Sequence, residues 1–177
     1  KLIQEKIKKF GKKSSSIVDI GGGYGIFAEE MGLLTEGLVT VIEPSPKLAN
    51  RCKEREISVV EKFLEDVDKR DLPDGAKIFV SFELFEHLHD SEQFLIDLST
   101  LMQSDDLFIF TTLSGSGVDI QALWEDSKSV SPPHHLNFFN PYSIKLLLSK
   151  IGLQCLEVTT PGKLDIDILS NNSEKIK

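Results

Sequence analysis

The chain has 177 residues, of which 40% are hydrophobic and 27% charged, and its formal net charge is −8. This length predicts a single domain over residues 1–177, with enough chain to bury a full hydrophobic core. No apolar run approaches the roughly 20 residues of a membrane span and no signal-peptide pattern opens the sequence, so we expect a cytoplasmic protein. Residue 1 is Lys rather than Met, so we expect a fragment of a longer protein.

The charge is distributed unevenly along the chain. Six lysines and one acid fall within residues 1–13, whereas the remainder contains 14 basic and 27 acidic residues. Because phosphate binding is driven mostly by cations, the acidic remainder argues against a nucleic-acid-binding role. The basic start is typical of a short helix with a solvated lysine face, and contact with a phosphate or a membrane surface is the alternative.

Strand-like and helix-like segments alternate along the chain. The predicted strands cover residues 17–20, 38–42, 57–63, 76–82 and 107–112, and two further β-like runs cover 154–159 and 164–169. The predicted helices cover 1–13, 26–34, 46–56, 91–102 and 141–151, and the last three have N-cap or proline start signals. Residues 113–139 read as an irregular segment, and residues 171–177 as a frayed tail.

Strands that alternate with helices of about ten residues indicate βαβ units, and therefore a parallel sheet covered on both faces. The last two β-like runs are separated by Pro161-Gly162 and are close enough in sequence to pair as a hairpin. The predicted fold is therefore α/β, with a doubly wound, mostly parallel seven-stranded sheet and an antiparallel edge hairpin.

A glycine-rich loop, residues 21–25, directly follows the first predicted strand. In doubly wound folds, ligands bind beyond the carboxyl ends of the strands. Glycines let the backbone turn tightly and approach a ligand, and the helix that follows points its N-terminal amides at the same place. The loop therefore predicts a ligand site, with a tight turn that binds nothing as the alternative.

Two acids indicate what this ligand carries. Glu43 ends the second predicted strand, 20 residues beyond Gly23, where a carboxylate can accept both hydroxyls of a ribose, although it could also be merely solvated. Residues 23–28 also fit the pattern of nicotinamide-binding domains, so the loop alone leaves a dinucleotide open. Asp19 favours S-adenosylmethionine, because a carboxylate at the strand end would attract an ammonium group and oppose a pyrophosphate.

Five sequence segments, in order, carry a resemblance to a known family. They are VDIGGGYG (18–25), VIEPS (41–45), SFELFEHL (81–88), PPHHLNFF (132–139) and NPYSIKLLLSKIGL (140–153). Over about residues 15–170 the chain resembles class I S-adenosylmethionine-dependent methyltransferases, in particular the ubiquinone-biosynthesis-like and sugar-modifying branch. The resemblance implies a Rossmann-like methyltransferase fold, S-adenosyl-L-methionine as cofactor, and a small-molecule acceptor such as a sugar or polysaccharide precursor.

The resemblance also implies which residues contact the cofactor. In chain order these are Asp19 on the methionine amino group, Gly21, Gly22, Gly23 and Tyr24 in the loop along the methionine moiety, Glu43 on the ribose, Pro44 and Leu64 beside the adenine, and Ser81 and Phe82 on the methionine side. Phe63-Leu64 stands where many relatives have Asp-Ala, so only the Leu64 amide or an apolar face is expected at the adenine.

The histidines are the candidates for a general base, which methyl transfer needs only when the acceptor loses a proton. His134-His135-Leu136 resembles the His-Glu-His-Leu stretch of sugar-nucleotide C-methyltransferases, whose last histidine is the base. The resemblance implies His135 as the base, with His134 and His87 as further candidates. Histidines that only pack a loop or begin a helix are the alternative. Adjacent histidines without nearby cysteines or spaced acids predict no metal site.

Two other functions stay open at the level of sequence. An NAD(P)-dependent oxidoreductase would use a similar loop, but the sequence has no evident Tyr-x-x-x-Lys pattern and is short for that class. A catalytically inert cofactor-binding domain of a larger protein is the third reading. Neither the methyl acceptor nor the oligomeric state follows from the sequence, because fold and cofactor do not determine substrate.

Overall fold

The computed structural model describes residues 1–11, 15–34, 38–160 and 174. The chain divides into two compact units. Unit 1 comprises Lys1–Phe82 and Ile96–Thr111, and unit 2 comprises Glu83–Leu95 and Thr112–Lys177. The single domain expected over residues 1–177 stays a prediction.

Unit 1 contains a five-stranded parallel sheet with the order β3-β2-β1-β4-β5. Its strands are β1 (Ser16–Ile20), β2 (Val39–Ile42), β3 (Ser58–Val60), β4 (Lys77–Ser81) and β5 (Leu107–Phe110). The chain winds outward from β1 to β3 and then crosses to β4 on the other side of β1. The winding therefore reverses between β1 and β4, which is where ligands bind in such sheets.

Six α-helices are present among the described residues. They are α1 (Leu2–Phe10), α2 (Ile26–Leu34), α3 (Pro46–Glu54), α4 (Ser91–Leu101), α5 (Val118–Leu123) and α6 (Pro141–Ile151). Local signals begin α4 and α6 as predicted, whereas the Ser45 side chain makes no capping bond at α3 and α5 was not predicted. Asp90 accepts a hydrogen bond from the Gln93 amide at 2.8 Å at the start of α4. Asn140 caps α6, and Gly152, with φ of 86°, ends it.

The core of unit 1 lies against the central strands. Every residue of β1 and β4 is buried, as expected for parallel strands that are covered on both faces. On one face, Ile17, Ile78 and Val80 pack with Met31 of α2, and Ile7 of α1 packs against this cluster. Val41 of β2 packs on the same face with Ala28 and Cys52. Helices α1 to α3 thus cover the face on which the side chain of Asp19 lies, two residues after Ile17.

Three predictions of secondary structure need correction. Residues 154–159 form no strand, because a strand needs a hydrogen-bonded neighbour. The neighbour predicted for this run, residues 164–169, lies outside the described residues, and so does most of the predicted tail 171–177. The seven-stranded count and the edge hairpin are therefore not confirmed. The segment 113–139, predicted to be irregular, contains α5 and a 3-10 turn at Trp124–Asp126. Strand β3 ends at Val60 rather than at Phe63.

Candidate functional site

The glycine loop (residues 21–25) joins β1 to α2 at the carboxyl edge of the sheet. Gly21, Gly23 and Gly25 have φ values of 72°, 56° and 74°, in the left-handed region that other residues rarely adopt. At Gly22 there is no room for a side chain, because an added Cβ would lie 2.8 Å from both Asp19 Oδ2 and Val41 Cγ1. The backbone of the loop therefore lies directly over the Asp19 carboxylate, with no side chain between them.

Asp19 lies in a buried environment that shifts its pKa strongly. Its side chain is 2% exposed, and among the described residues its Oδ2 atom has no hydrogen-bond partner. Burial, with a smaller contribution from the negative charge of Glu43, raises the pKa of Asp19 from 3.8 to about 7. A buried carboxylate oxygen without a partner is costly, so the site favours a ligand that brings a cationic hydrogen-bond donor to this oxygen.

Glu43 holds the glycine loop. It is the residue after β2 and is buried, and its Oε2 accepts a hydrogen bond from the Gly23 amide at 3.0 Å. Its Oε1 accepts from the Ser45 amide at 2.9 Å, at the start of α3, where the Ser45 side chain itself makes no capping bond. Each carboxylate oxygen has a second lone pair, so Glu43 can still accept hydroxyl groups of a ligand.

Cys52 supports the loop and packs against Gly25, and no motif in the sequence indicates this role. The Cys52 thiol donates to the Gly23 carbonyl at 3.2 Å, and burial raises its pKa. A Cβ on Gly25 would lie 2.9 Å from Cys52 Sγ and 2.8 Å from Ile57 Cδ1. The only signal in the sequence is the spacing of Ala49 and Cys52, which places both on the buried side of α3.

Ser81 and Phe82 lie at the end of β4, beside β1. Ser81 is fully buried, and among the described residues its hydroxyl has no partner. Asp19 is paired with Val80 in the sheet, so Ser81 and Asp19 point to opposite faces. Phe82 packs edge-on against Phe27 of α2, with ring centroids 4.6 Å apart. The structure therefore places Ser81 and Asp19 on adjacent strands at one edge of the sheet.

The predicted adenine-side residues have different environments. Pro44 is half-buried, and Tyr24 in the loop is 56% exposed. Leu64 begins a 3-10 turn, Leu64–Asp66, and its side chain is buried in the core, whereas Phe63 is 59% exposed. Burial of the Leu64 side chain leaves its backbone, rather than an apolar side-chain face, for contact with a ligand.

The three candidate catalytic histidines lie in unit 2. His87 ends a 3-10 turn, Phe85–His87, which is followed by extended backbone at Leu88, so the alternative in which His87 begins a helix is wrong. His87 Nδ1 is 2.7 Å from the His134 carbonyl, and His135 Nδ1 is 2.7 Å from the Ser129 carbonyl. Since a carbonyl only accepts, each Nδ1 carries the proton, and in the neutral ring Nε2 is the basic nitrogen.

Backbone contacts hold the two histidine segments together. The rings of His87 and His135 have centroids 5.0 Å apart and are tilted by 55°. The Glu86 carbonyl accepts from the amides of Leu136 at 2.6 Å and Asn137 at 3.2 Å. The Asn137 side chain donates to the carbonyls of Phe85 and Leu88. His134 is exposed and contributes to this cluster through its backbone carbonyl, which accepts from His87 Nδ1.

Neither a metal group nor a membrane helix is found in the part of the chain that the structure describes. There, no three His, Cys, Asp or Glu side chains form a group that would hold a metal ion. No helix within the same residues is long and apolar enough to cross a membrane.

The chain is similar to known proteins in sequence pattern and in structure. Residues 1–158 match a family model described as a methyltransferase domain, and no curated protein matches the sequence at a significant level. A crystal structure of a SAM-dependent methyltransferase from Aquifex aeolicus aligns with a TM-score of 0.66 at 17% identity, covering 88% of this chain and 81% of that one. A SAM-dependent methyltransferase from Thermotoga maritima aligns with a TM-score of 0.65 at 20% identity, covering 87% and 71%.

A third solved structure was determined with a bound cofactor product. The mycolic acid cyclopropane synthase CmaA1, complexed with SAH, aligns with a TM-score of 0.66 at 18% identity, covering 89% of this chain and 61% of that one. The TM-scores of these alignments show a shared fold, and at such low identities they show the fold alone.

Proposed function

Because this chain belongs to the methyltransferase-domain family, we propose that it transfers the methyl group of S-adenosyl-L-methionine to a small-molecule acceptor. The observation that carries the cofactor assignment is the Oδ2 atom of Asp19, which is buried and has no partner among the described residues. The family match gives no support to the NAD(P)-dependent oxidoreductase that the sequence pattern left open.

The residues at the edge of the sheet fit this cofactor. The ammonium of its methionine part supplies the cationic donor that Asp19 lacks, and its positive charge favours the ionised form of a carboxyl whose pKa burial raises to about 7. The lone pairs of Glu43 not used by the amides of Gly23 and Ser45 accept the ribose hydroxyls. A pyrophosphate would instead be placed against two buried acids, Asp19 and Glu43.

The protein's own contribution is to bind and orient. When bound, S-adenosyl-L-methionine supplies an already activated methyl group. The bare backbone of Gly21, Gly22 and Gly23 lets the methionine part approach the loop, while Tyr24, Pro44 and Leu64 lie on the adenine side and Ser81 and Phe82 on the methionine side. Much of the acceleration then comes from holding the acceptor in line with the methyl carbon.

His135 is the general base of this proposal, with His87 as the second candidate. Its Nδ1 proton is committed to the Ser129 carbonyl, so Nε2 is the atom that takes a proton from the acceptor. Such a base serves acceptors that lose a proton on methylation, such as hydroxyls or acidic carbon centres of a sugar or polysaccharide precursor. His134 contributes its carbonyl to the orientation of His87.

Calorimetry with S-adenosylhomocysteine and with NADH tests the cofactor assignment. We expect the homocysteine compound to bind and NADH not to bind. Asp19→Ala should weaken the binding at least tenfold, whereas the matched control Asp74→Asn, at an exposed acid, should not change it. Binding of NADH alone would overturn the proposal. Methyl transfer to a panel of nucleotide sugars and quinone precursors then tests the acceptor class and excludes an inert binding domain.

A further inference from the structure

A carboxylate in unit 2 organises the segment that precedes the histidine pair. Asp119 lies in the first turn of α5, and its Oδ2 accepts hydrogen bonds from the hydroxyls of Ser127 and Ser129, both at 2.7 Å. Ser127 is buried, and its Oγ also accepts from the Ser129 amide at 3.1 Å. The three residues thus form a closed set of hydrogen bonds, the Asp119 clamp (Asp119, Ser127 and Ser129), which holds both the amide and the hydroxyl of Ser129.

The clamp connects directly to His135. The Ser129 hydroxyl donates to Asp119 Oδ2, and the Ser129 carbonyl accepts from His135 Nδ1, at 2.7 Å each. Fixing the Ser129 hydroxyl therefore fixes the carbonyl that receives the imidazole proton. The ring of His135 also lies beside that of His87, with centroids 5.0 Å apart, and His87 Nδ1 is held by the His134 carbonyl.

We propose that Asp119 is a positioning residue that sets the Nδ1–H tautomer of His135 through Ser129, and so leaves Nε2 as the proton acceptor for methyl transfer. This inference rests on the proposed function, in which His135 is the base. Asp119 itself does not touch the acceptor or the cofactor in this scheme; it acts through the Ser129 carbonyl.

The tautomer matters because a neutral imidazole has one proton to place on two nitrogens. With that proton on Nδ1, Nε2 can take the acceptor's proton and become imidazolium, and the electron pair left on the acceptor forms the bond to the methyl carbon. The electron pair of the broken sulfur–carbon bond returns to sulfur. With the proton on Nε2, the same ring would present a donor to the acceptor and could not begin this sequence.

The charge state of Asp119 agrees with this role. Burial alone would raise its pKa, but hydrogen bonds from Ser127, Ser129 and nearby backbone amides hold the pKa below its ordinary value. Asp119 is therefore an ionised acceptor across the neutral range, and both serine hydroxyls must donate to it rather than to other groups. Among the described residues, the ring contact of His135 is with His87, also a titratable group.

The experiment measures the tautomer and the reaction separately on the full chain. Nitrogen-15 NMR of the imidazoles, at a pH of about 8.5 where histidine is neutral, should show Nδ1–H for His135 in the wild type. Asp119→Ala should convert His135 to a mixture of tautomers and lower kcat about tenfold, with the KM for the cofactor unchanged. The conservative variant Asp119→Asn retains a carbonyl oxygen as acceptor, so it should recover part of the Nδ1–H tautomer and part of kcat. Glu125→Gln, an exposed neighbouring acid, is the matched control and should change neither.

A His135 that keeps the Nδ1–H tautomer in Asp119→Ala would overturn the proposal. So would a changed tautomer with an unchanged kcat and pH profile, since the clamp would then only shape the loop. Failure of the proposed function looks different, because the wild type would transfer no methyl group while the NMR comparison would still decide whether Asp119 sets the tautomer. Circular dichroism and thermal unfolding of each variant establish that it folds.

Discussion

The Glu43 carboxylate accepts a hydrogen bond from the amide of Gly23 at 3.0 Å, across 20 residues of sequence. With its other oxygen the same side chain holds the amide of Ser45 at the start of α3. One buried acid therefore fixes the conformation of the glycine loop before any ligand arrives. Binding of the cofactor then requires little rearrangement, because the loop, the open face over Asp19 and the remaining lone pairs of Glu43 are already in place.

Replacing Glu43 tests this arrangement. Glu43→Gln substitutes an amide N–H₂ for one carboxylate oxygen, so a donor would face the amide donor of either Gly23 or Ser45. We expect a loss of about 1–3 kcal/mol in the free energy of unfolding and at least tenfold weaker binding of S-adenosylhomocysteine. The control Glu54→Gln removes an exposed ion pair with Arg51 and should have almost no effect. Equal effects of the two variants would contradict the role of Glu43.

Asp19 should make the stability of the free enzyme depend on pH. Its folded-state pKa of about 7 is above the ordinary 3.8, so between these values the folded chain binds a proton that the unfolded chain has lost. The stability contribution is therefore present at low pH and is lost as the pH rises toward 7. Asp19→Asn should remove this slope and be more stable than the wild type by a few kcal/mol above pH 7.

Thermal or urea unfolding at pH 5 and pH 8 measures this difference. The stability of Asp74→Asn, which changes an exposed acid, should follow the wild type at both pH values. If Asp19→Asn also shows the wild-type change between pH 5 and 8, then Asp19 does not titrate as its burial indicates.

Replacing Gly22 and Gly32 with alanine should change the free energy of unfolding in opposite directions. A Cβ at Gly22 would lie 2.8 Å from Asp19 Oδ2 and from the fully buried Val41, so Gly22→Ala should cost about 1–3 kcal/mol and weaken cofactor binding. Gly32 lies inside α2 with nothing within 4 Å of an added Cβ, so Gly32→Ala should stabilise the protein by about 0.5–1 kcal/mol. Chemical denaturation of both variants gives the two signs, and a stabilising Gly22→Ala would be incompatible with the close approach described for the loop.

Replacing each histidine with alanine should change the rate of methyl transfer to a different extent. His135→Ala should lower methyl transfer about 10²–10⁴-fold without changing the affinity for S-adenosylhomocysteine, because a general base is lost and the cofactor residues are untouched. His134→Ala should have a small effect, since the carbonyl of residue 134 remains to hold His87. His89→Ala, at an exposed position, is the control. An active His135→Ala enzyme would remove the base from the proposed function while leaving the methyltransferase assignment intact.

The elements of the fold that carry strong local signals were predictable from the sequence. Helix α2 occupies residues 26–34 as predicted, and α6 begins after Asn140 and ends before Gly152 because a cap and a left-handed glycine define it locally. The end of β3 was not predictable in this way. The Glu43 amide still donates to the Val60 carbonyl, but the next amide on that side, of Ser45, donates to the Glu43 side chain, so the pairing of β2 with β3 stops at Ile42 and Val60.

The position of the candidate cofactor site was also predictable, but its internal contacts were not. The glycine loop and Glu43 follow directly from strand ends, which meet at one edge of a parallel sheet. The hydrogen bond from Cys52 to Gly23, however, joins residues 29 positions apart, and no periodic pattern reports such a contact. The Asp119 clamp lies in a segment without periodicity, so its serines appeared in the sequence only as polar loop residues.

Proton release on cofactor binding tests the central claim most directly. If Asp19 receives the ammonium of the ligand, binding must ionise a carboxyl whose pKa in the free protein is about 7. Titration calorimetry with S-adenosylhomocysteine at pH 6.5, in buffers of different ionisation enthalpy, should therefore show release of a large fraction of one proton, on the order of 0.5 or more, that disappears in Asp19→Asn. Binding by the wild type with the same proton count as Asp19→Asn would contradict the account.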